Sequence, residues 1–550
     1  MQNVKIICSF ILALILWSHF VLGDEIHPAY TVNIPMSDGT ELPADIYLPT
    51  STESTTQWSI ILVRNPSGRK HFAQDFAQMT TWDYVVVLQD TRNVIDQEGK
   101  TMPYYHDGWA DGYRDGYDTV EWLSKQKFSN GKIGTFGFSS SGITQLLMAP
   151  SAPPSLKSQY VGVAAASIYD HAIFIGGQFR KHQVENWLGY YAGHPSVLKN
   201  VVDQPFYNDF WQRLDSRKVA SQVNVPAVHY GGWYDTFLLG TLESYMTRQE
   251  LGAEGARGKQ KLVIGPWTHF WPKVQSLGNF ELPASARVPP MDISPKRWFD
   301  YSLKGIDNGI DNIPSVTYYV MGPLDGTPSG GNIWRSSNTW PIPANQTPFY
   351  LGSDGNLSPA SFSNEVALTY IYDPLNPVPT LGGRNLFLDP GPQDQGSIES
   401  RADVLTFTTP ILEEEIEVTG QIMAKLYFSS DRRDTDVSVR LCDVYPDGKS
   451  LLIADGICRV AAQSYKSIGF DIDHHLPREV EVDLWSTSIV FAKGHRIRVS
   501  VTSSNYPRFE RNFNIGLASR HVGAPLRAKN TLHIGGKFDS RIIFPVVTKN

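Results

Sequence analysis

GKIGTFGFSSSG, residues 131–142, reads as a buried strand that enters a tight turn and continues as a helix. The residues before the serines are small and apolar, and those after Gly142 have helical spacing. A serine on such a turn, flanked by glycine, has a strained backbone and an exposed hydroxyl, as catalytic nucleophiles do. Gly137 stands two residues before Ser139, but the second glycine stands two residues after Ser140. The nucleophile is therefore Ser139 or Ser140, and a serine-rich turn without chemistry is the alternative.

Composition indicates a folded globular protein of several domains. The chain has 550 residues, 41% hydrophobic and 12% aromatic, which is enough for two to four domains with ample cores. The formal net charge is −7, and the sequence contains no long basic run. This charge pattern argues against a nucleic-acid partner.

Residues 1–23 have the pattern of a secretory signal peptide. Lys5 precedes an apolar run from Ile6 to Phe20, and Gly23 supplies a small residue at the cleavage position. The apolar run is shorter than the roughly 20 residues of a comfortable membrane span, although an uncleaved anchor is the alternative. We therefore expect cleavage near Gly23, a secreted or periplasmic protein, and no membrane attachment after cleavage.

Cleavage would leave two cysteines, Cys442 and Cys458. They flank an apparent hairpin with Pro446-Asp447-Gly448 at its turn. Two cysteines in an exported chain could pair, but only if the hairpin register brings them face to face. The sequence does not fix that register, so pairing stays open.

Strand and helix signals alternate through the first half of the mature chain. Such alternation predicts a parallel, doubly wound sheet, in which chemistry collects at the carboxyl ends of the strands. We assign this sheet to residues 24–169 and 223–325, and the aromatic-rich, mostly helical insertion at 170–222 to a cap over the site. The predicted elements are a β-hairpin at 30–49, strands at 58–63, 84–88, 161–166, 227–230 and 262–264, and helices at 115–127 and, within the cap, at 203–219.

Two further polar residues follow predicted strands directly. Asp235 comes after the strand that ends in Gly231-Gly232, and His269 comes after the next one. Asp235 could instead cap the following helix, and a single histidine after a strand is more often structural. Together with Ser139 they give the chain order Ser, Asp, His, which is that of α/β-hydrolases and not of the chymotrypsin or subtilisin classes. The combination predicts a serine hydrolase with a triad of Ser139, Asp235 and His269.

The chain resembles the cocaine esterase and X-prolyl dipeptidyl-peptidase family of serine hydrolases. The resemblance covers nearly all of the mature chain. The elbow of that family reads Gly-x-Ser-x-x-Gly, which selects Ser139 as the nucleophile. The motifs that carry the resemblance are VRNPSGRK, GTFGFSSSGITQ, HYGGWYDTF, VIGPWTH, DTDVSVRLCDVYPDGKSLLIADG and SSNYPRFERNFNIG.

The resemblance also implies an oxyanion hole and an acyl pocket. The backbone N–H of Ser140 would be one oxyanion donor. The family's second donor is a tyrosine hydroxyl after an Asn-Pro pair, but here that position is Ser67, whose hydroxyl reaches less far. Phe237 would line the acyl pocket, or would be a core residue of the helix that follows.

Substrate class is predicted less directly. Relatives that act on α-amino esters place carboxylates soon after the triad Asp, whereas Thr236 to Leu239 contain none, and the next acid is Glu243. A partner for a substrate ammonium could still come from the cap, for instance Glu185. We expect an esterase for uncharged or apolar acyl groups, with X-Pro dipeptidyl-peptidase activity as the alternative. Either substrate would be a small molecule or peptide.

The C-terminal part has a different pattern. Short strands recur from about residue 345 with no sustained helical period, which predicts an antiparallel, jelly-roll-like β-sandwich over 345–550 after a Pro- and Gly-rich link at 322–345. Such a sandwich could make the protein a carbohydrate-binding module with a degenerate hydrolase domain, or could simply pack on the hydrolase. His474-His475 could bind a metal, but exposed adjacent histidines are commoner, and we expect neither metal nor cofactor. The predicted strands are 404–408, 416–426, 437–445, 451–459, 479–484 and 497–502.

Overall fold

A computed structural model describes most of the chain after the amino-terminal segment. The segment predicted as a signal peptide lies outside the described residues. The described ranges are 26–50, 57–92, 104–109, 114–191, 195–270, 276–277, 280–462, 475–516 and 523–548.

A ten-stranded sheet forms the first unit. Its strands are β1 (Tyr30–Pro35), β2 (Glu41–Tyr47), β3 (Trp58–Asn65), β4 (Val85–Asp90), β5 (Ser129–Phe138), β6 (Leu156–Gly162), β9 (Ala227–Tyr234), β10 (Gln260–Thr268), β13 (Val316–Val320) and β14 (Ile333–Ser337). Their spatial order is β1-β2-β4-β3-β5-β6-β9-β10-β13-β14. A separate antiparallel pair, β11 (Ser276–Leu277) and β12 (Phe280–Glu281), follows β10 in the chain. From β4 to β13 neighbouring strands are parallel, and antiparallel strands lie only at the two edges. The predicted α/β-hydrolase sheet is confirmed.

The central strands are buried on both faces. In β3, Ile60 and Leu62 belong to one apolar cluster, whereas Ile61 and Val63 belong to another. Successive side chains of a strand point to opposite faces, so both faces of this sheet are covered. This explains why the strands read as continuous apolar runs without alternation.

Helices cover the two faces. Val120 and Leu123 of α2 pack on one apolar cluster, and Trp298 and Phe299 of α8 pack on the other. Within the described ranges, no helix is both long and apolar enough to cross a membrane. The helices are α1 (Ala73–Ala77), α2 (Asp115–Ser124), α3 (Ser140–Met148), α4 (Lys181–Tyr191), α5 (Pro195–Val202), α6 (Asp209–Gln212), α7 (Leu238–Leu251), α8 (Pro295–Ser302) and α9 (Gly396–Glu399).

One predicted strand was misplaced. The prediction of 161–166 is wrong because β6 ends at Gly162, and Val163 has φ of 41°. Ala164, Ala165 and Ala166 follow this residue, and their small size is explained by helix packing and not by a strand. A Cβ at Gly240 would lie 2.4 Å from the carbonyl oxygen of Ala164, so a helix packs directly on this backbone. Close packing, and not strand pairing, accounts for this apolar run.

The cap lies between β6 and β9. It contains a short hairpin of β7 (Phe174–Ile175) and β8 (Gln178–Phe179), followed by helices α4, α5 and α6. The helix predicted over 203–219 is not continuous. It is replaced by the four-residue α6, capped by the Asn208 side chain, and a 3₁₀ segment, Ser216–Gln222. Val219 has non-helical dihedrals at a kink inside that segment.

A two-sheet antiparallel sandwich forms the second unit, as predicted. The larger sheet has seven strands and the smaller has four, β18-β23-β20-β21. The segment predicted as a link contains β14, which pairs with β13 and so extends the first sheet to Ser337. The sandwich strands are β15 (Asn345–Leu351), β16 (Leu357–Ser358), β17 (Val366–Tyr372), β18 (Leu405–Thr408), β19 (Ile416–Ser430), β20 (Asp436–Val444), β21 (Ser450–Arg459), β22 (Arg478–Phe491), β23 (Arg496–Thr502), β24 (Ala528–Ile534) and β25 (Arg541–Val546).

The two units share one core. A single apolar cluster includes Val263 of β10 and Phe428 of β19. Met321, just after β13, exchanges two backbone hydrogen bonds with the sandwich strand β22, each of 2.9 Å. The sandwich therefore continues the packing of the hydrolase sheet.

Cys442 and Cys458 are buried and free. Cys442 stands opposite Leu452 in the hairpin register, and Cys458 stands opposite Val437. The turn at 446–448 is where the sequence predicted it, but this register keeps the two thiols apart. The fold therefore contains no disulfide between them.

Candidate active site

Ser139 lies at the turn between β5 and α3. Its φ is 53° and its ψ is −121°, a region that non-glycine residues rarely adopt. The Ser139 N–H donates to the carbonyl of Gly162 at 3.0 Å, and the Ser139 carbonyl accepts from Gly142 and Ile143 at 2.9 Å. These bonds hold the strained conformation, and they make Ser139 the residue that caps the helix.

The glycines of the turn are required by close packing. A Cβ at Gly137 would lie 2.5 Å from the Ser141 side chain. A Cβ at Gly142 would lie 2.8 Å from Ala164 and 2.9 Å from the Gly162 carbonyl oxygen. The turn therefore needs its second glycine at position 142, one residue later than the usual pattern.

The structure brings Ser139, His269 and Asp235 together. The Nε2 of His269 lies 2.9 Å from the Ser139 Oγ, and its Nδ1 lies 2.6 Å from the Asp235 Oδ1. Each residue stands where its strand ends: β5 ends at Phe138, β9 at Tyr234 and β10 at Thr268. The last two strands extend four residues beyond the predicted ends, so Gly231 and Gly232 are part of β9 and do not follow it.

The contact between Asp235 and His269 is shielded from solvent. Asp235 is fully buried and His269 is 5% exposed, whereas Ser139 is half-buried. The Asp235 side chain bonds His269 and does not cap the following helix, whose N-cap is Phe237. A hydroxyl, an imidazole and a buried carboxylate in this order can remove and return a proton at the hydroxyl.

Phe237 lies against the imidazole. Its ring centroid is 5.4 Å from that of His269, with an interplanar angle of 79°. Phe237 is 4% exposed and belongs to an apolar cluster that includes Trp187 of the cap. It therefore packs between the catalytic histidine candidate and the cap, which is the core role considered above, and its role in an acyl pocket stays a prediction.

Two residues were candidates for the oxyanion hole. Ser140 is the first residue of α3, so its backbone N–H lies at the positive end of the helix dipole. Ser67 lies in the turn after β3, where its N–H donates to the Asn65 Oδ1 at 3.0 Å. Because β3 is the neighbour of β5, both residues stand at the same edge of the sheet.

Family comparisons agree with this architecture. Residues 38–198 and 182–271 match the family of X-Pro dipeptidyl-peptidases (S15 family), and residues 308–543 match the X-Pro dipeptidyl-peptidase C-terminal non-catalytic domain. The cocaine esterase of Rhodococcus sp. (strain MB1 Bresler) is 31% identical over 588 residues, covering 95% of this chain and 99% of the relative. The chain belongs to the cocaine esterase and X-Pro dipeptidyl-peptidase (S15) family. It is accordingly a serine hydrolase, with esterase favoured over peptidase activity.

Solved structures share the fold of this S15-family member. An aminopeptidase from the marine sediment archaeon Thaumarchaeota archaeon has a TM-score of 0.79 at 22% identity and covers 97% of this chain and 98% of its own. An alpha-amino acid ester hydrolase has a TM-score of 0.77 at 24% identity and covers 96% and 98% respectively. At these identities the likeness concerns the fold alone.

Acidic residues near the site of this S15-family member already have basic partners. Glu185 of the cap lies 2.5 Å from the Lys181 Nζ. Glu243 pairs with Arg217 and with the Nε2 of His171 at 3.1 Å, and these partners outweigh burial, so that the pKa of Glu243 falls to about 2. Glu243 is therefore not a simple partner for a substrate ammonium, whereas the Glu185–Lys181 pair is an exposed contact between residues four apart and holds Glu185 only weakly.

Sequence reasoning missed two arginines that support the site. Arg384 donates its Nε to the carbonyl of Trp233 at 2.9 Å, and Arg180 donates to the carbonyl of Thr236 at 3.3 Å and also to its hydroxyl. Both are about 1% exposed. No local motif marks them, because their partners are distant in the chain.

The part of the chain that the structure describes contains no metal cluster that would support the His474-His475 alternative. His474 lies outside the described residues. Within those residues, no group of three or more His, Cys, Asp or Glu side chains is arranged to hold a metal ion.

Gly142→Ala tests the packing of the turn. The added methyl group would force α3 away from Gly162, so we expect a loss of about 1–3 kcal/mol in unfolding free energy and a 10- to 100-fold loss in kcat/KM. Thermal unfolding and ester hydrolysis measure the two effects. Gly396→Ala is the control, because the nearest atom to its new Cβ would be 3.5 Å away. Equal stability and activity of the two variants would contradict this account.

Proposed function

We propose that the protein is an exported serine esterase for neutral acyl esters, acting through a covalent acyl-enzyme on Ser139. One observation carries the proposal. It is the unbroken chain of contacts from the Ser139 Oγ to His269 and from His269 to Asp235, at 2.9 and 2.6 Å. A structural serine would require neither the strained backbone nor an imidazole at its hydroxyl.

In the first step the Ser139 Oγ attacks the ester carbonyl carbon, and its proton moves to the Nε2 of His269. Asp235 accepts the hydrogen bond from Nδ1 and stabilises the imidazolium. The tetrahedral intermediate then breaks its bond to the alcohol oxygen, which takes the proton back from Nε2. A water molecule then attacks the acyl-enzyme in the same way and gives its proton to Nε2. The second tetrahedral intermediate breaks its bond to the Ser139 Oγ, which takes that proton back as the carboxylic acid is released.

Charge on the tetrahedral oxygen requires donors. The N–H of Ser140 is placed by the helix that Ser139 caps, and loss of one such donor costs roughly 3–4 kcal/mol of transition-state stabilisation. The Ser67 hydroxyl is the candidate for the second donor, from the turn beside β5. Because the serine hydroxyl reaches less far than a tyrosine hydroxyl, a water molecule would bridge it to the oxygen of the tetrahedral intermediate.

The choice of a neutral acyl group rests on charge. Glu185 and Glu243 are engaged by basic side chains, and the residues after Asp235 are uncharged. Phe237 presents an aromatic ring beside His269. A free ammonium placed here would lose its hydration without gaining a carboxylate partner.

Fluorophosphonate labelling tests the nucleophile. We expect one modified serine, Ser139, in the wild-type protein, no labelling of Ser139→Ala, and a loss of roughly 10⁶-fold in kcat. Mass spectrometry of the labelled peptide identifies the site, and Ser140→Ala is the matched control, since it keeps the backbone N–H. Labelling lost in Ser140→Ala but kept in Ser139→Ala would refute the assignment. A folded wild type that resists labelling would favour the binding-module alternative.

Matched substrates test the acyl preference. p-Nitrophenyl butyrate and p-nitrophenyl 2-aminobutyrate share a leaving group and differ by one ammonium, so we expect kcat/KM to be about 10²-fold higher for the neutral ester. An X-Pro p-nitroanilide should be a poorer substrate than either. Preference for the anilide would instead support the dipeptidyl-peptidase alternative.

Export is proposed from the amino-terminal pattern of Lys5 followed by the apolar run to Phe20. The mature protein would be secreted or periplasmic. Expression in the host followed by fractionation and amino-terminal sequencing should give a chain that begins at Asp24. A cell-associated protein that keeps residues 1–23 would disprove cleavage.

A further inference from the structure

A small, partly open cavity, with room for about one water-sized particle, lies where the cap meets the sandwich unit. Arg180, His182 and Gln183 line it from the cap, and residues 385–388 and Arg508 line it from the C-terminal half. It adjoins the active site, because Arg180 also bonds Thr236, the residue after Asp235. Nothing in the proposed esterase mechanism uses this cavity.

Four polar atoms of its lining are buried without a hydrogen-bond partner among the described residues. Three are nitrogen atoms: the Nε of Arg180, the Nε of Arg508 and the Nδ1 of His182. The fourth is an acceptor, the Oδ1 of Asn385. Both Nε–H groups are obligatory donors, since a guanidinium has no acceptor. Buried polar groups are normally satisfied, so this concentration indicates a missing acceptor.

Guanidinium groups also outnumber carboxylates at close range here, while Asp235, Asp483 and Glu399 act on them from farther away. Arg180 and Arg508 line the cavity, and the charge of Arg508 also acts on the buried Arg384 and Arg440. Among the described residues only one carboxylate, Asp455, lies within 4.0 Å of any of these four guanidiniums. Asp455 contacts Arg508 at 2.6 Å and Arg384 at 3.9 Å. The four are Arg180, Arg384, Arg440 and Arg508, each at most 4% exposed.

Arg180 illustrates the lack of charge compensation most clearly. Its other donors go to the neutral oxygens of His171 and Thr236, and it has no ion pair among the described side chains. Burial, together with the charge of Arg508, lowers the pKa of Arg180 well below its ordinary range, although Asp235 and Asp455 act in the opposite direction. An unpaired buried charge is costly, and a bound counter-ion would remove most of that cost.

We infer that this cavity binds a small monovalent anion between Arg180 and Arg508. The anion would accept from the two Nε–H groups and balance the excess charge of the arginine cluster. The Oδ1 of Asn385 is unfavourable for an anion, and a water molecule bound beside the ion would satisfy it.

Two sources could supply this chemistry. One is a free halide, which would be a permanent structural ion. The other is the carboxylate of a substrate, since Phe387 of the lining packs on the apolar cluster that contains Phe237. The second source rests on the proposed esterase function, and the first does not.

Bromide diffraction tests the site directly. Crystals of the full-length wild-type protein soaked in sodium bromide and measured at the bromine absorption edge should give an anomalous peak between Arg180 and Arg508. This readout does not depend on activity, so it can succeed even if the esterase proposal fails. A refined water at this position with no anomalous signal would overturn the inference.

Chloride-dependent stability provides an independent measurement. At constant ionic strength, replacing sodium isethionate with sodium chloride should raise the Tm of the wild type in a saturable way. Arg180→Gln should lose this saturable rise. Arg248→Gln is the matched control, because Arg248 is also buried, has no carboxylate partner among the described side chains and does not line the cavity. This variant should therefore keep the rise despite a lower starting Tm. No saturable rise in the wild type would overturn the inference.

Hydrolysis distinguishes the two sources. If a substrate carboxylate is the occupant, p-nitrophenyl hemiadipate should have a KM at least about tenfold below that of p-nitrophenyl hexanoate, and chloride should compete with the hemiester alone. If a free halide is the occupant, the two KM values should be similar and chloride should not compete. Both results support an anion site, provided that the bromide peak is present.

Discussion

The hydrogen bond from the Ser139 N–H to the Gly162 carbonyl is the constraint on which the active site depends. It fixes the strained turn to the neighbouring strand, so that Ser139 is the one residue between the end of β5 and the start of α3. Small residues on both sides are a consequence, because any Cβ at Gly137 or Gly142 would push the helix away from this contact. The other two residues of the site, Asp235 and His269, lie at the same edge of the sheet because each comes directly after its own strand.

The sandwich unit takes part in the same arrangement. Arg384 caps the Trp233 carbonyl near the end of β9, and the Tyr234 hydroxyl donates to the Leu452 carbonyl at 3.1 Å. These contacts lie one and two residues before Asp235. The C-terminal unit thus fixes the strand end that carries the carboxylate, which gives it a structural role regardless of any ligand.

Sequence reasoning predicted the residue positions that depend on local order along the chain. Ser139, Asp235 and His269 each follow an apolar strand directly, and the parallel sheet brings such positions together. It failed where tertiary packing decides. The alanines after Gly162 resemble a strand because a helix packs on them, and β14 is hidden in a Pro- and Gly-rich segment. Arg180 and Arg384 could not be found, because their partners are 56 and 151 residues away.

The shared core has a consequence for how the chain must be made. The strand ends of the hydrolase sheet are synthesised long before Arg384, Leu452 and the β22 backbone that complete them. A nascent chain released at the end of the hydrolase unit would present an exposed apolar face and uncapped backbone groups. Assembly of the reactive centre should therefore wait for the carboxyl-terminal half, which delays serine reactivity until synthesis is nearly complete.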